Sequence, residues 1–172
     1  EGEICISGPN VMLGYYNNEK ETNGALHIHD DGNVWLHSGD LGVMDKNGFI
    51  KYTGRLKRLI VTSGYNVYPV QIEEVLEKHP AVMLSSVVGI PHPYKQEVPK
   101  AFIVLNKGYR ETEELVKELK ELCSKNLPRY AKVYEYEFRK SLPRTMVGKV
   151  DFRKLQEENN KLRREERGEE KI

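Results

Sequence analysis

Gly54-Arg55-Leu56-Lys57-Arg58-Leu59-Ile60-Val61-Thr62-Ser63-Gly64-Tyr65-Asn66-Val67-Tyr68-Pro69 is the stretch on which the architecture turns. Residues 59–62 and 66–68 are apolar or β-prone and flank Ser63-Gly64-Tyr65, so they read as a tight hairpin. Pro69 suits the first turn of a helix, where its missing N–H costs nothing. Ile72, Val75 and Leu76 then share one helical face, Glu73 and Glu74 are expected near the positive end of the helix dipole, and His79-Pro80 stops the helix. Residues 82–90 and 101–105 read as core strands. Leu115, Leu119, Leu122 and Cys123 mark the stripe of a helix from about residue 111 to 126, with Pro128 just beyond. Residues 133–138 form a further strand. Asp151 is placed to cap a last helix carrying Phe152, Leu155 and Leu162. From about Gln156 the chain is almost wholly charged or amide and is expected to fray, and Arg163-Arg164-Glu165-Glu166-Arg167 reads as a solvated end. The order after Lys57 is β-β-α-β-β-α-β-α, a compact α+β domain.

Upstream of Lys57 the reading finds only strands and turns. Residues 3–7 form a strand closed by Gly8-Pro9, residues 13–18 a turn-rich connector, and Asp30-Asp31-Gly32 a turn. Residues 41–44 and 49–52 flank Asp45-Lys46-Asn47-Gly48, a hairpin signal because Asn-Gly accepts positive φ. These elements are too few for an independent core. The expectation is therefore residues 1–57 as the end of a larger amino-terminal domain, and residues 58–172 as a separate small domain. The chain starts at Glu1-Gly2-Glu3-Ile4, without a methionine and inside a strand, as a piece of a longer protein would.

The 172 residues are 38% apolar and 31% charged, with formal net charge +1. A chain this near neutrality is not held to nucleic acid by a basic field. No run of 18 apolar residues is present, so no transmembrane segment is expected and a cytoplasmic setting is. The two cysteines, Cys5 and Cys123, have no CxxC spacing and read as ordinary thiols. His27, His29, His37, His79 and His92 suggest no triad, His27-x-His29 reads as a polar strand face, and no metal ligand is assigned.

Three blocks carry a chemical pattern. Trp35-Leu36-His37-Ser38-Gly39-Asp40-Leu41-Gly42 comes first, the opening stretch second, and Pro143-Arg144-Thr145-Met146-Val147-Gly148-Lys149-Val150 third. Alone, the last describes a solvated turn lysine, one of 27 basic residues. In this order the three blocks resemble the carboxyl-terminal third of the adenylate-forming superfamily, in its acyl-CoA synthetase branch. The run from Gly32 to Lys57 resembles the signature Asp-Gly-x-Trp-Leu-x-Thr-Gly-Asp-x-Gly…Arg-x-Lys. It departs from it in a spacer one residue longer, Asn33-Val34, and in Ser38 for threonine. Thr145 and Gly148-Lys149 match Thr-x-x-Gly-Lys, and Ser63-Gly64-Tyr65-Asn66-Val67-Tyr68-Pro69 is close to the bacterial fatty acyl-CoA ligase form. Many relatives carry a lysine where this chain has Val61 or Ser63.

The resemblance implies an ATP-dependent ligase that joins a carboxylic acid, expected to be a fatty acid, to AMP and then to CoA. Carboxylate attack on the α-phosphorus brings two anions together, so a mobile point charge between them lowers the barrier. By resemblance Lys149 is that catalytic group. Asp40 accepts the ribose hydroxyls, Arg55 contacts ribose and phosphates, and Asn66 joins the nucleotide contacts. Lys57 is the hinge whose backbone swings the small domain, and Ser63, Gly64 and Tyr65 meet the pantetheine of CoA. ATP, Mg2+ and CoA are implied, Mg2+ being held mainly by the missing amino-terminal domain, the chain's own partner. The phosphate loop, the magnesium-linked glutamate and the acyl pocket belong to that domain, so the chain by itself is expected to be inactive. The competing readings are a peptide-synthetase adenylation domain, a luciferase-like member, and a non-catalytic α+β binding module.

Overall fold

A computed structural model describes residues 1–166, and its contacts divide into two compact units, Glu1–Lys57 and Arg58–Ile172. The first unit is an antiparallel sheet built on one long strand. Its elements are β1 (Gly2–Ile6), α1 (Glu19–Ala25), β2 (Leu26–Ile28), β3 (Val34–Met44) and β4 (Ile50–Arg55). Strand β3 is central, with β1 on one edge and both β2 and β4 on the other. Leu41 is the one large apolar side chain buried among its described residues, while Ile28, Met44, Phe49 and Ile50 stand exposed. A sheet with so little of its apolar surface covered has almost no core of its own.

Helix α1 corrects the expectation of strands and turns alone. The Asn18 side chain accepts from the Glu21 N–H at 3.1 Å, and Glu19 and Glu21 occupy the first turn, where the helix dipole favours them. The helix is short, carries Gly24 and buries no residue, so hydrophobic periodicity gave no sign of it.

The second unit contains β5 (Ile60–Thr62), β6 (Tyr65–Val67), α2 (Pro69–Leu76), β7 (Val82–His92), β8 (Gln96–Leu105), α3 (Glu113–Asn126), β9 (Glu135–Phe138) and α4 (Phe152–Glu166). This is the expected β-β-α-β-β-α-β-α order. The sheet runs β6-β5-β8-β7, and β9 lies parallel to β8. Strands β7 and β8 form a long hairpin running from Val82↔Leu105 to His92↔Gln96. Both strands exceed their expected bounds, most of all β8, where Pro99 masks the start.

The alternation along β8 builds two cores. Ala101 and Ile103 face one side, where they join Ile72 and Leu76 of α2 and Leu115, Leu119 and Cys123 of α3. Val98, Phe102 and Val104 face the other, joining Leu142 and Leu155. Period-two side chains on a strand covered on both faces make this a helix–sheet–helix sandwich. The Thr112 hydroxyl caps α3, accepting from the Leu115 N–H at 3.1 Å. Pro69 opens α2 as expected, but no acidic residue lies in its first turn. Glu73 instead takes the Val87 N–H at 2.7 Å and the Arg58 guanidinium on the same oxygen. Arg58 also lies 5.0 Å from the Phe152 ring centroid, so the residue after Lys57 is anchored to both an α2 carboxylate and the start of α4.

The expectation that the chain frays from Gln156 is overturned. Asp151 caps α4 through the Lys154 N–H at 3.1 Å, and the helix continues to Glu166. Its polar residues have partners on the sheet: Gln156 donates to the Gly89 carbonyl at 3.3 Å, Arg139 pairs with Glu158 at 2.6 Å, and Arg163 pairs with Glu135. Lys100, mostly buried, donates to Asn159 Oδ1 at 2.9 Å and pairs with Glu137 at 2.9 Å. Charge here marks a polar seam between helix and sheet edge. Arg163 is therefore part of a packed element, and the reading of Arg167 as solvated tail lies outside the described residues.

Candidate functional site

In the first unit, Ser38-Gly39-Asp40 is a bulge. Glu3 pairs with Leu41 and Cys5 with His37, so one residue of β1, Ile4, stands against three of β3, residues 38–40. The excess is taken up where Gly39 has φ +72°, a left-handed value that favours glycine. Ser38 Oγ donates to the Ile4 carbonyl at 2.6 Å and accepts from the Asp40 N–H at 3.1 Å. Gly39 N–H donates to Glu3 Oε1 at 2.8 Å. Both sides of the bulge are thereby tied, and the bulge aims Asp40. Asp40 sits opposite Arg55 across β3–β4, and Arg55 Nε donates to Asp40 Oδ1 at 3.0 Å. The pair is open to solvent, so it contributes little to stability but holds an acceptor beside a donor fork. Lys57 follows in a 3-10 turn, Leu56–Arg58, with its side chain exposed.

Three of the five histidines, for which the sequence suggested no triad, lie close together on this sheet. His29 Nε2 lies 3.0 Å from His37 Nε2, the His27 and His37 ring centroids are 4.4 Å apart, and His29 stacks on Trp35 at 5.3 Å. His37 Nδ1 is 2.7 Å from Glu3 Oε2 and 3.7 Å from Cys5 Sγ. Partial burial works to raise the Glu3 carboxyl. The hydrogen bonds from His37 and the Gly39 N–H, with the nearby imidazoles, outweigh it and hold Glu3 below the usual carboxylate range. Burial, then the Glu3 charge, pushes the Cys5 thiol up. This group was missed because Cys5 and His37 are 32 positions apart and only strand register brings them together.

In the second unit the predicted residues fall on two hairpins. Ser63 and Gly64 form a two-residue loop between β5 and β6, with φ of 50° and 83°. Two positive φ values make a type I′ turn, whose twist matches its strands. Ser63 N–H donates to the Lys95 carbonyl at 3.1 Å, which pins the turn to the β7–β8 corner. Tyr65 stacks on Tyr130 with centroids 4.8 Å apart and planes within 6°. Asn66 is exposed and pairs with Val61. Ile60 and Val67 root this hairpin in the first core.

Lys149 follows a three-residue loop. Arg144 bridges Val150, Thr145 N–H donates to the Lys149 carbonyl at 2.7 Å, and Gly148 N–H donates to the Thr145 carbonyl at 2.9 Å. Gly148 has φ +80°, so this is a type I turn closed by a left-handed residue. Arg144 Nη1 buttresses it from the Gly148 carbonyl at 2.6 Å. The Lys149 side chain is exposed and has no ion-pair partner among the described residues. Leu142, Val150, Phe152 and Leu155 seat this hairpin on the second core.

Residues 71–149 match the AMP-binding enzyme C-terminal domain. The chain is 44% identical over 157 residues to a long-chain-fatty-acid–CoA ligase of Bacillus subtilis, covering 91% of this chain and 27% of that relative. It superposes with TM-score 0.80 at 36% identity on an ATP-bound RpMatB–BxBclM chimera, covering 91% of this chain and 30% of that one. It matches o-succinylbenzoate CoA synthetase from Bacillus subtilis, in complex with its acyl-adenylate intermediate, at TM-score 0.78 and 34% identity, covering 90% and 30%. The chain thus spans under a third of the length of these proteins. With the AMP-binding enzyme C-terminal domain matched at its centre and CoA ligases as its relatives, the chain is similar over about nine-tenths of its length to part of the adenylate-forming enzymes.

Proposed function

We propose that the chain is the carboxyl-terminal part of a cytoplasmic, AMP-forming acyl-CoA ligase, acting on a fatty acid or a related carboxylic acid. Residues 1–57 complete the large amino-terminal domain, which fits a sheet that covers so little of its apolar surface. Residues 58–172 are the mobile domain, and Lys57 is the hinge. The observation that carries this reading is the pair of hairpins in the second unit, each rigid in backbone and each rooted in a different core. One offers an ammonium with no ion-pair partner among the described residues, the other a bare turn.

In the first half-reaction Lys149 sits between the acid carboxylate and the α-phosphate and stabilises the charge that grows on the phosphoryl oxygens. Asp40 accepts from the ribose hydroxyls, Arg55 donates to ribose and phosphate, and Asn66 contributes a further nucleotide contact. The donor and acceptor 3.0 Å apart at Asp40 and Arg55 fit such a ligand. Mg2+, when bound with ATP, would supply screening of its phosphates. The Asp40 carboxylate is already engaged by Arg55, so its ligands are assigned to the amino-terminal domain. Rotation at Lys57 then withdraws Lys149 and brings Ser63, Gly64 and Tyr65 to line the pantetheine path. The CoA thiol attacks the acyl-adenylate carbonyl, and AMP leaves. A turn made of backbone lets a narrow chain pass, and Tyr130 holds Tyr65 flat at its side.

The test is Lys149→Ala in the complete enzyme, assayed one half-reaction at a time. Acid-dependent pyrophosphate release is expected to fall by about a hundred- to a thousand-fold, the usual loss on removing one transition-state charge contact. Thioester formation from supplied acyl-adenylate is expected to stay within a few-fold of the parent. Unchanged pyrophosphate release would refute the role of Lys149.

A further inference from the structure

The sheet face of the first unit holds a cluster to which the ligase chemistry assigns no direct contact with substrate. Glu3, Cys5 and His37 each present one ligand atom, and the three atoms lie within 4.8 Å of one another. We propose that Glu3 Oε2, Cys5 Sγ and His37 Nδ1 bind a single Zn2+ ion as a clip between β1 and β3. The donor set is one carboxylate, one thiol and one imidazole, a mixture that suits a borderline-soft divalent ion.

One of the three ligand pairs already stands at zinc spacing. With Zn–S near 2.3 Å and Zn–N near 2.0–2.1 Å, tetrahedral angles put sulfur and nitrogen about 3.6 Å apart. Here Cys5 Sγ and His37 Nδ1 are 3.7 Å apart. The 2.7 Å separation of Glu3 Oε2 and His37 Nδ1 is a hydrogen bond, and a shared ion requires it to open by roughly 0.6 Å. A small carboxylate rotation supplies that, with Glu3 Oε1 still held by the Gly39 N–H at 2.8 Å. The ion takes the place of the proton between His37 and Glu3. The displaced proton returns through solvent to Nε2, so His37 coordinates as a neutral imidazole through Nδ1 and carries its one proton on Nε2, facing His29 Nε2 at 3.0 Å. His29 is itself stacked on Trp35, whose indole N–H donates to Asp31 Oδ2 at 3.0 Å. This outer chain fixes the imidazole plane and its tautomer, as the supporting groups of zinc-bound histidines do. Cys5 gives up its thiol proton to solvent as the Zn–S bond forms. The side chains of His37 and Glu3 are 26% and 23% exposed, so an ion can reach the site and a water can fill the fourth position.

The test uses the complete enzyme, in which residues 1–57 have the domain they are proposed to complete, freed of metal with a chelator, and Zn2+ or Co2+ alone as probe. The expected result is saturable one-to-one binding at micromolar metal, with a thiolate-to-cobalt charge-transfer band. Cys5→Ser removes the band, Glu3→Gln and His37→Gln weaken binding about tenfold or more, and Cys123→Ala leaves it intact. Where a variant loses its native circular dichroism, the parent chain gives the answer. Zn2+ is expected to protect Cys5 from alkylation, read by peptide mass spectrometry, while Cys123 reacts equally with and without metal. No saturable binding, a band that survives Cys5→Ser, or Cys5 alkylation that ignores Zn2+ would each overturn the site.

Discussion

The hairpin at Ser63-Gly64 and the hairpin before Lys149 are both tight turns closed by a glycine of positive φ, yet they are built for opposite uses. In the first, the apex is pinned from outside by the Lys95 carbonyl and the flanking aromatic is stacked on Tyr130. Its aromatic side chain is committed and its backbone is on offer. In the second, the backbone is closed on itself by Thr145, Lys149 and Gly148, and Arg144 braces the rear. There the side chain after the turn is on offer, and Met146 and Val147 at the apex are exposed. One loop is a surface to slide along, the other a base for a mobile charge. The proposed division of labour, thioester transfer against adenylation, follows this physical difference.

The strongest way to break the comparison is to exchange the damage. Lys149→Ala removes only charge, so it is expected to cost adenylation about 3–4 kcal/mol of transition-state stabilisation while the fold and the thioester step persist. A variant that lost both half-reactions equally would mean that the two loops do not work in turn.

A second variant acts on what the Lys149 hairpin stands on. Leu155 is fully buried and shares the second core with Leu142, beside Val150 and Phe152. Leu155→Ala is expected to lower stability by about 2–5 kcal/mol, the range for a buried leucine, read as a shift in the denaturation midpoint. At temperatures where the variant stays folded, adenylation should suffer more than thioester transfer, because the Ser63 hairpin rests on Ile60 and Val67 of the other core.

A smaller effect tests the first loop. At Gly64 an added Cβ meets no atom within 4 Å, but φ +83° strains any side-chain-bearing residue. Gly64→Ala is expected to cost about 1–2 kcal/mol. In the complete enzyme it should slow thioester formation and spare pyrophosphate release, the reverse of Lys149→Ala.

What the sequence disclosed and what it hid separate along the same physical lines. Local signals were readable: Pro69 and the Ile72, Val75, Leu76 face, the Thr112-to-Asn126 helix, and the glycines that close both turns. The order of elements followed from them. Hidden were features that depend on partners far along the chain. Helix α4 was readable at its start, but from Gln156 it looked like a fraying tail because its polar side chains are matched by Glu135, Arg139 and the Gly89 carbonyl, and no local rule reveals that. Helix α1 is held by its Asn18 cap and buries nothing, so periodicity was silent. Asp40 and Arg55 were each picked out by motif, but their contact needs the β3–β4 register. The Glu3, Cys5 and His37 group needs both the β1–β3 pairing and the bulge at Ser38-Gly39-Asp40.

That bulge supplies the smallest and most local prediction. The two hairpins of the second unit are closed by backbone bonds, whereas Gly39 is held by a carboxylate, which titrates. Glu3 is held below its ordinary value in the folded state, despite the opposing effect of burial. A depressed carboxyl contributes stability that is fully present above its unfolded value and is lost as pH falls through its folded one. The loss therefore begins when pH drops below the ordinary glutamate range. With Glu3 about a quarter exposed, the effect is expected to be modest. Thermal midpoints of the parent and of Glu3→Gln, followed from neutral pH downward, should differ at neutral pH and converge in acid as the parent carboxyl protonates. Curves that stay parallel through the acid range would mean that the Glu3 charge does not hold the bulge, and that the Ser38-to-Ile4 bond alone shapes the turn that aims Asp40.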